Sequence, residues 1–410
     1  MTSLWDLLRQ NPNYRNTWLA QVVSETGDYL NNIAVFALVM EKSGSGLVVT
    51  FVMLARAIPA VLAGPVAGVL LDRLDRRRIM IASDVVRAVL ALAFVWTIHE
   101  PRPWLLYALS AGLMFASPFF TAGRAAILPT IATANELHSA NSLTQTTQWA
   151  TLTAGTLLAG YTTAWLGYAG AFVLNSLSFV FSAWAIWQIR VPGGFRARRG
   201  RAAPGGRPWH EYGAGLRYMR GVPLLVGMAM ISVGWSLGGG AAQILFALFG
   251  EQVFHRGPSG IGTIWGFAGA GLLVGGFVGH AVGRTTDFRG YKRAVTVSYV
   301  LHGAAYMVFS QVESYALALG MMMLSRVGMA VTSVLNNAQL LRHTPDEYRG
   351  RVFSTMESIR WSVMIVSMAG AGIASQYVGP RTIGLVAGGF GTLTAAVWAW
   401  MDGSGRLPEP

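Results

Sequence analysis

A helix that crosses a bilayer needs about 20 mainly apolar residues. Twelve such stretches follow one another along the chain, each closed by a short polar segment, over roughly 15–41, 47–71, 79–98, 103–127, 140–166, 169–189, 222–250, 259–282, 294–311, 314–340, 353–376 and 381–401. The pattern predicts an all-α integral membrane protein with twelve transmembrane helices in two six-helix, pseudo-symmetric bundles. Residues 1–189 form the first half and 221–410 the second. Between them, 190–220 is rich in Gly, Pro and Arg and reads as a cytoplasmic basic linker, too polar for a buried span. The first apolar stretch follows Arg15 and shows no small-residue cleavage site, so it reads as a span and not as a signal peptide.

The two halves carry the same signal at one offset. Gly64-Pro65-Val66-Ala67-Gly68 runs into the basic loop Asp72-Arg73-Leu74-Asp75-Arg76-Arg77-Arg78, and 211 residues later Gly275 and Gly279 precede Gly283-Arg284, Arg289, Lys292 and Arg293. The same offset pairs Glu136 with Glu347. One register shared by two separate stretches points to duplication.

Composition agrees with lipid as the solvent: 53% of residues are hydrophobic and 12% charged. The chain has no cysteine, and its seven histidines form no HxxxH or HExxH pair, so neither a disulfide framework nor a metal centre is expected. A net charge of +13 raises the question of nucleic acid. The basic residues occur in short clusters between apolar stretches, which is a topology pattern, so no nucleic-acid partner is expected. Of the 31 Lys and Arg, 22 lie at the termini or in loops after even-numbered spans, and Lys42, Arg102, Arg256 and Arg381 lie on the other side. Both termini are therefore expected in the cytoplasm, in a multi-pass protein of a bacterial inner membrane. Arg56, Arg87, Arg124, Arg326 and Arg360 fall within spans or at their edges.

The loop after span 2, Gly68-Val69-Leu70-Leu71-Asp72-Arg73-Leu74-Asp75-Arg76-Arg77-Arg78, follows the pattern Gly-x-x-x-Asp-Arg-x-Gly-Arg-Arg except that Asp75 takes the second glycine's place. With twelve spans in a 6+6 repeat, the whole chain resembles the major facilitator superfamily. Gly27-Asp28, Ser83-Asp84-Val85-Val86-Arg87 and Pro345-Asp346-Glu347-Tyr348-Arg349-Gly350-Arg351-Val352 look like the macrolide-efflux and enterobactin-exporter branch. The resemblance implies export of a bulky, partly apolar small molecule of the drug, macrolide or siderophore class, usually in exchange for protons. A related lysophospholipid transporter leaves open a second substrate class, an amphiphile moved without strict proton coupling. Two features depart from the exporters' pattern. The span-5 signature survives only as Gly155-Thr156-Leu157-Leu158-Ala159-Gly160, and Arg124 reads as lying at the cytoplasmic end of span 4 instead of inside it. For Asp72 the resemblance implies a gating position near the cytoplasmic end of span 11, with Gly68 permitting close approach and Arg73, Arg76 and Arg77 holding the loop at the cytoplasmic face.

Only Glu25, Asp28, Asp84 and Glu357 of the eighteen acidic residues fall well within spans. A carboxylate at the bilayer centre costs about 2.5–3.5 kcal/mol on insertion scales, so it must be paired, hydrated or protonated. Glu25 and Asp28 share one face of span 1, and two like charges at that spacing oppose simultaneous ionisation. They are the candidate proton-coupling site. Asp28 lies about 20 Å along its span, at a depth that Arg56 also reaches, so an Asp28–Arg56 pair is expected, either as part of coupling or as a static lock between spans 1 and 2. Asp84 with Arg87 and Glu357 with Arg360 are each three apart and can neutralise themselves locally, as structural or gating pairs. Arg326 has Phe115 as its counterpart at the 211 offset and, with Arg56, is a candidate cavity charge for an anionic group or for capping carbonyls.

Trp104, Tyr107, Trp165, Tyr168, Trp184 and Trp187 lie at span ends as interfacial anchors. Trp149, Trp235, Trp265 and Trp361, with 17 methionines, suit an adaptable apolar cavity or plain packing. No phosphate-binding Gly-x-x-x-x-Gly-Lys-Ser/Thr motif and no catalytic dyad is present, so the chain is not expected to be an enzyme or to hold a cofactor. Protons are the expected coupling ion, a small-molecule or amphiphilic substrate and membrane lipid the expected partners, and a monomer is sufficient.

Overall fold

The computed structural model describes residues 4–100, 102–191, 195 and 208–409. Among them are thirteen α-helices and no strand: α1 (Leu4–Gln10), α2 (Pro12–Ser43), α3 (Gly46–Arg73), α4 (Arg76–Ala93), α5 (Trp104–Ile131), α6 (Ala134–Trp187), α7 (Pro208–Gly221), α8 (Pro223–Leu248), α9 (Gly257–Thr285), α10 (Phe288–Gln311), α11 (Tyr315–His343), α12 (Asp346–Ala374) and α13 (Pro380–Gly403). α4 tightens into a 3-10 turn at Phe94–Ile98, and α8 widens into a π turn at Phe249–Val253.

Local chemistry sets the boundaries. Asn11 caps α2, its Oδ1 accepting the Tyr14 N–H at 2.9 Å, and Pro12 takes the first helical position. At the far end Gly44 adopts φ 59°, a left-handed conformation that favours glycine, and its N–H closes on the Met40 carbonyl at 2.8 Å. Asp75 caps α4 by accepting the Arg78 N–H at 3.0 Å, which explains an aspartate where the superfamily pattern has glycine. Asp287 caps α10 in the same way, accepting the Gly290 N–H at 2.7 Å. Thr133 and Glu136 form a capping box at the start of α6. The side chain of Glu347, its counterpart at the 211 offset, lies outside the described residues.

Eight helical segments are long and apolar enough to cross a membrane. One of them, Ser139–Trp187, is 49 residues long and suffices for two crossings. It bends at Gly167, whose φ of 69° breaks α6 into arms 134–166 and 168–187, the fifth and sixth spans of the sequence pattern. α2, α10 and α12 complete the twelve. Their length suffices, but α2 carries Glu25 and Asp28, α12 carries Glu357 and Arg360, and α10 opens with Arg289, Lys292 and Arg293. The three helices that fall short in apolarity thus each carry two or more charged side chains.

The chain divides into two compact units, Met1–Gly200 with Gly250–Gly266, and Arg201–Phe249 with Phe267–Pro410. This differs from a division at 190–220 in one respect: the segment around the start of α9 packs with the first unit, where Gly262 meets the backbone of Gly160. In unit 1, α2 packs on α6, α3 on α5, and α4 on both α5 and α6. In unit 2, α8 packs on α12 and α13, and α10 on α11 and α13, which repeats the plan of α2 and α4. The region 190–220 is not linker throughout, because α7 occupies its last part. Gly215 lets α7 lie against α12, where a Cβ would come within 2.9 Å of the Arg351 carbonyl oxygen. The rest, 192–194 and 196–207, lies outside the described residues.

Without a hydrophobic driving force between helices in lipid, close packing carries the association, and small residues permit it. On α10 and α13, Gly303 and Gly388 face each other so closely that a Cβ on Gly388 would lie 2.8 Å from the Met307 nitrogen and 2.9 Å from the Gly303 oxygen. Large apolar side chains such as Val61, Leu62, Val89, Phe277 and Val366 are exposed on helix faces, as expected of a lipid-facing surface. Trp104, Trp165, Trp184 and Trp187 are exposed as well, consistent with interfacial anchoring.

Gly388→Val is expected to overpack the α10–α13 crossing and cost about 1–3 kcal/mol. Gly389→Val, beside it but with nothing within 4 Å of its Cβ, serves as the control. Thermal melting in detergent should show a lower midpoint for the first variant and an unchanged one for the second; equal midpoints contradict the close crossing.

Candidate functional site

Unit 1 holds a network of three carboxylates and three guanidiniums among its buried helix faces. α2 contributes Glu25, Asp28, Asn31 and Asn32, which recur at helical spacing. Arg87 on α4 is almost wholly buried, its guanidinium carbon 4.3 Å from the Phe179 ring centroid and 4.8 Å from that of Phe120. Aromatic faces stabilise a cation removed from water. The same guanidinium bridges two acids: Nη2 pairs closely with Asp84 Oδ1, and Nη1 lies 3.7 Å from Asp28 Oδ2. The second oxygen of Asp84 accepts from the Ser182 hydroxyl at 2.7 Å. A turn away, Glu25 pairs with Arg124 at 3.2 Å and accepts from the Thr151 hydroxyl at 2.8 Å. Arg56 on α3 is buried and donates to Asn31 Oδ1 at 3.4 Å.

Two expectations change here. The cation that pairs with Asp28 is Arg87, not Arg56; the Arg56 side chain ends on Asn31, one helical turn beyond Asp28, and no ion pair to it is found among the described residues within 4.0 Å. Arg124 does not sit at the end of its span, because α5 continues through Pro129 to Ile131 and carries Arg124 two turns inside, where it is buried against Glu25. An arginine just before the predicted end of an apolar run was the available signal. Thr151, Ser182 and Asn31 are further members that spacing alone did not reveal.

The network is unevenly satisfied. Asp84 is fully buried and has a partner at each oxygen, whereas Asp28 is 22% exposed, shares Arg87 at the longer distance, and has a buried Oδ1 with no hydrogen-bond partner among the described residues. Asn31 Nδ2 and Asn32 Oδ1 beside it likewise have no partner among the described residues. Buried polar atoms are rarely left this way, which sets this part of α2 apart from ordinary packing. A carboxylate held weakly by a shared guanidinium can exchange that cation for a proton with little rearrangement.

The residues expected to gate are divided. Arg76 donates to the Ala126 carbonyl at 2.7 Å, and Arg77 to the carbonyls of Ile186, at 3.1 Å, and Trp187, so both tie the loop to the ends of α5 and α6. Asp72 and Arg73 are exposed, with no polar partner found among the described residues. Gly68 does not mediate a close approach here, since a Cβ on it would meet nothing within 4 Å. The inward ridge of α3 is Ala63, Ala67 and Leu71, one position before Gly64 and Gly68, which turns those glycines away from the packed face. In the repeat, the glycines themselves face inward: a Cβ on Gly275 would lie 2.8 Å from Val327 Cα, and one on Gly279 3.1 Å from Val331 Cα.

Unit 2 contains a cavity of about 270 Å³. Met228, Met329, Met356, Trp235, Tyr299 and Phe353 give it an apolar lining, and Asn336, Asn337, Glu357 and Arg360 add polar groups. Glu357 and Arg360 pair with each other at 2.5 Å, as their spacing predicts, and Glu357 remains 54% exposed at the cavity wall. Arg326 is buried one turn before Met329 on α11 and donates to its Sδ at 3.4 Å.

A family model described as the Major Facilitator Superfamily matches residues 17–367. The chain is 27% identical over 399 residues to an uncharacterized MFS-type transporter, YfiS, of Bacillus subtilis (strain 168), covering 92% of each protein. It is 22% identical to macrolide efflux protein A of Streptococcus pyogenes, covering 88% of this chain and 89% of that one. Among solved structures, a bacterial homologue of the iron transporter ferroportin superposes with a TM-score of 0.69 at 17% identity, over 96% of this chain and 99% of that one, a likeness of fold.

Arg87→Gln is expected to leave Asp28 and Asp84 buried without their cation and to cost about 3–5 kcal/mol. Adding Asp84→Asn should restore part of the loss, since it removes one of the stranded charges. Melting midpoints of both variants in detergent check this, and a single variant as stable as the native chain contradicts the bridging role of Arg87.

Proposed function

The chain belongs to the Major Facilitator Superfamily, and we propose that this transporter is a secondary active exporter that moves a bulky, partly apolar small molecule outward in exchange for protons. It is not an enzyme, as its family membership indicates. The observation that carries the reading is the asymmetry between Asp84, fixed from both sides, and Asp28, loosely held and only partly buried. Asp28 takes up the proton. When it does so its hold on Arg87 lapses, Arg87 stays with Asp84, and the polar contacts between α2 and α4 weaken. Glu25, held by Arg124 and Thr151, is the second carrier.

Loss of a cross-helix ion pair on protonation gives the proton a different affinity for two arrangements of the helices, which is what coupling to alternating access requires. Unit 2 offers the substrate its apolar contact, because methionines adapt to varied shapes and the aromatic side chains supply large flat surfaces. The efflux activity in the name of the Streptococcus pyogenes relative supports an outward direction. The bias of Lys and Arg supports cytoplasmic termini and a bacterial inner membrane.

Proteoliposomes with an imposed pH gradient, assayed on a panel of dyes, macrolides, siderophores and lysolipids, test the reading. Native protein should move one of the drug-like or siderophore compounds only with the gradient, and Asp28→Asn should lose that movement while still binding the compound. Asp28→Asn transport at the native, gradient-dependent rate contradicts the assignment, and lysolipid movement indifferent to the gradient replaces it with a lipid facilitator.

A further inference from the structure

The charges inside unit 1 balance, three carboxylates against three guanidiniums, but those of unit 2 do not. Glu357 and Arg360 neutralise each other, and Arg326 is left over. Its side chain is 7% exposed, and among the described residues its contacts are the Met329 thioether, the Phe246 ring 5.3 Å from its guanidinium carbon and the Tyr306 ring at 5.9 Å. A thioether is a weak acceptor, and a guanidinium has five N–H donors and cannot shed its proton in a protein. His302, on the neighbouring helix, makes its ring hydrogen bonds through Nδ1 to Ser325, and no hydrogen bond from Arg326 to that ring is found among the described residues.

Donors without acceptors accumulate in the same part of unit 2. The Tyr306 hydroxyl, the Trp235 indole nitrogen and Arg360 Nε are all buried with no hydrogen-bond partner among the described residues. Trp235 and Arg360 line the cavity, and Met329 both lines it and covers Arg326. A site with surplus donors and one uncompensated cation is complementary to a ligand rich in acceptors and negatively charged.

We propose that Arg326 is the anchor for the substrate's anionic group, reached when the Met329 side chain turns aside, so that the transported molecule is an amphipathic organic acid whose apolar body rests in the cavity lined by Trp235, Tyr299 and Phe353. This rests on the reading of unit 2 as the substrate-binding half. The aromatic lining suits a compact ring system better than a long acyl chain, which assigns a free organic acid over a lipid headgroup. An unbranched flexible methionine is a suitable cover, because it changes rotamer without disturbing the helix.

The test compares naphthalene-1-acetate with naphthalen-1-ylmethylammonium, which share a ring and differ in charge, by titrating the tryptophan fluorescence of the purified full chain. The acid should bind about tenfold or more tightly than the amine, the worth of one charged hydrogen bond. Arg326→Gln should erase that preference, Arg326→Lys should keep part of it, and Met329→Leu, which removes the sulfur acceptor at similar volume, should retain or strengthen it. Equal binding of the two probes, no binding of the acid, or an undiminished preference in Arg326→Gln overturns the proposal. Should Arg326→Gln fail to fold, a reduced preference in Arg326→Lys with an undiminished one in Met329→Leu supports the proposal, and full retention of the native preference in Arg326→Lys overturns it. Displacement of the acid by lysophosphatidylglycerol overturns the free-acid source. Asp28→Asn should leave the preference intact, so failure of proton coupling and failure of anion recognition are read separately.

Discussion

An ionised side chain inside a bilayer has to be matched, and the rest of this molecule is arranged around how that is done. At a cost of about 2.5–3.5 kcal/mol per unmatched charge on insertion scales, a handful of stray charges would exceed the typical stability of a folded domain. Unit 1 meets the requirement with pairs that join different helices: Glu25 of α2 with Arg124 of α5, and Asp28 of α2 with Arg87 of α4. The pairs therefore do two things at once. They neutralise charge and they fix α2 relative to its neighbours, so that a proton arriving at either acid alters helix contacts as well as charge.

The packing of the apolar surface is organised differently in the two halves although they descend from one pattern. α9 presents glycines to α11, while α3 presents Ala63 and Ala67 to its packed face and leaves Gly64 and Gly68 outside it. A shift of one residue along a helix turns a side chain by about 100°, so a repeat kept in sequence register does not keep its faces. Elsewhere the repeat is retained in the pairing of elements, with α4 packed against α5 and α6, and α10 against α11 and α13.

Much of the fold was legible because hydrophobic length and charge clustering are properties of consecutive residues. The twelve spans, the duplicated frame and the local pairs Asp84–Arg87 and Glu357–Arg360 all depend on short spacings that helical geometry determines. The break at Gly167 coincides with the expected join between spans 5 and 6. Partners on different helices were not legible. Choosing between Arg56 and Arg87 for Asp28 needs the rotation of three helices about their axes, and depth along the span, which favoured Arg56, does not supply it. Arg124 was missed because an apolar run fades before its helix ends, and the remaining turn placed the arginine deeper than hydropathy implied. Asp75 and α7 were obscured by their polarity, since a capping residue and an amphipathic helix look alike to loop composition.

The central claim is that Asp28, and not the fully satisfied Asp84, is the carboxyl of the Arg87 cluster that gains and loses a proton during function. Infrared difference spectroscopy of the reconstituted protein, recorded while the pH is stepped, reads protonated carboxyl groups directly through their carbonyl stretch. The account predicts carbonyl absorption that rises on acidification in the native protein, of which the component due to Asp28 is lost in Asp28→Asn while that of Glu25 remains. A difference spectrum left unchanged by Asp28→Asn, or a component lost only in Asp84→Asn, would contradict it.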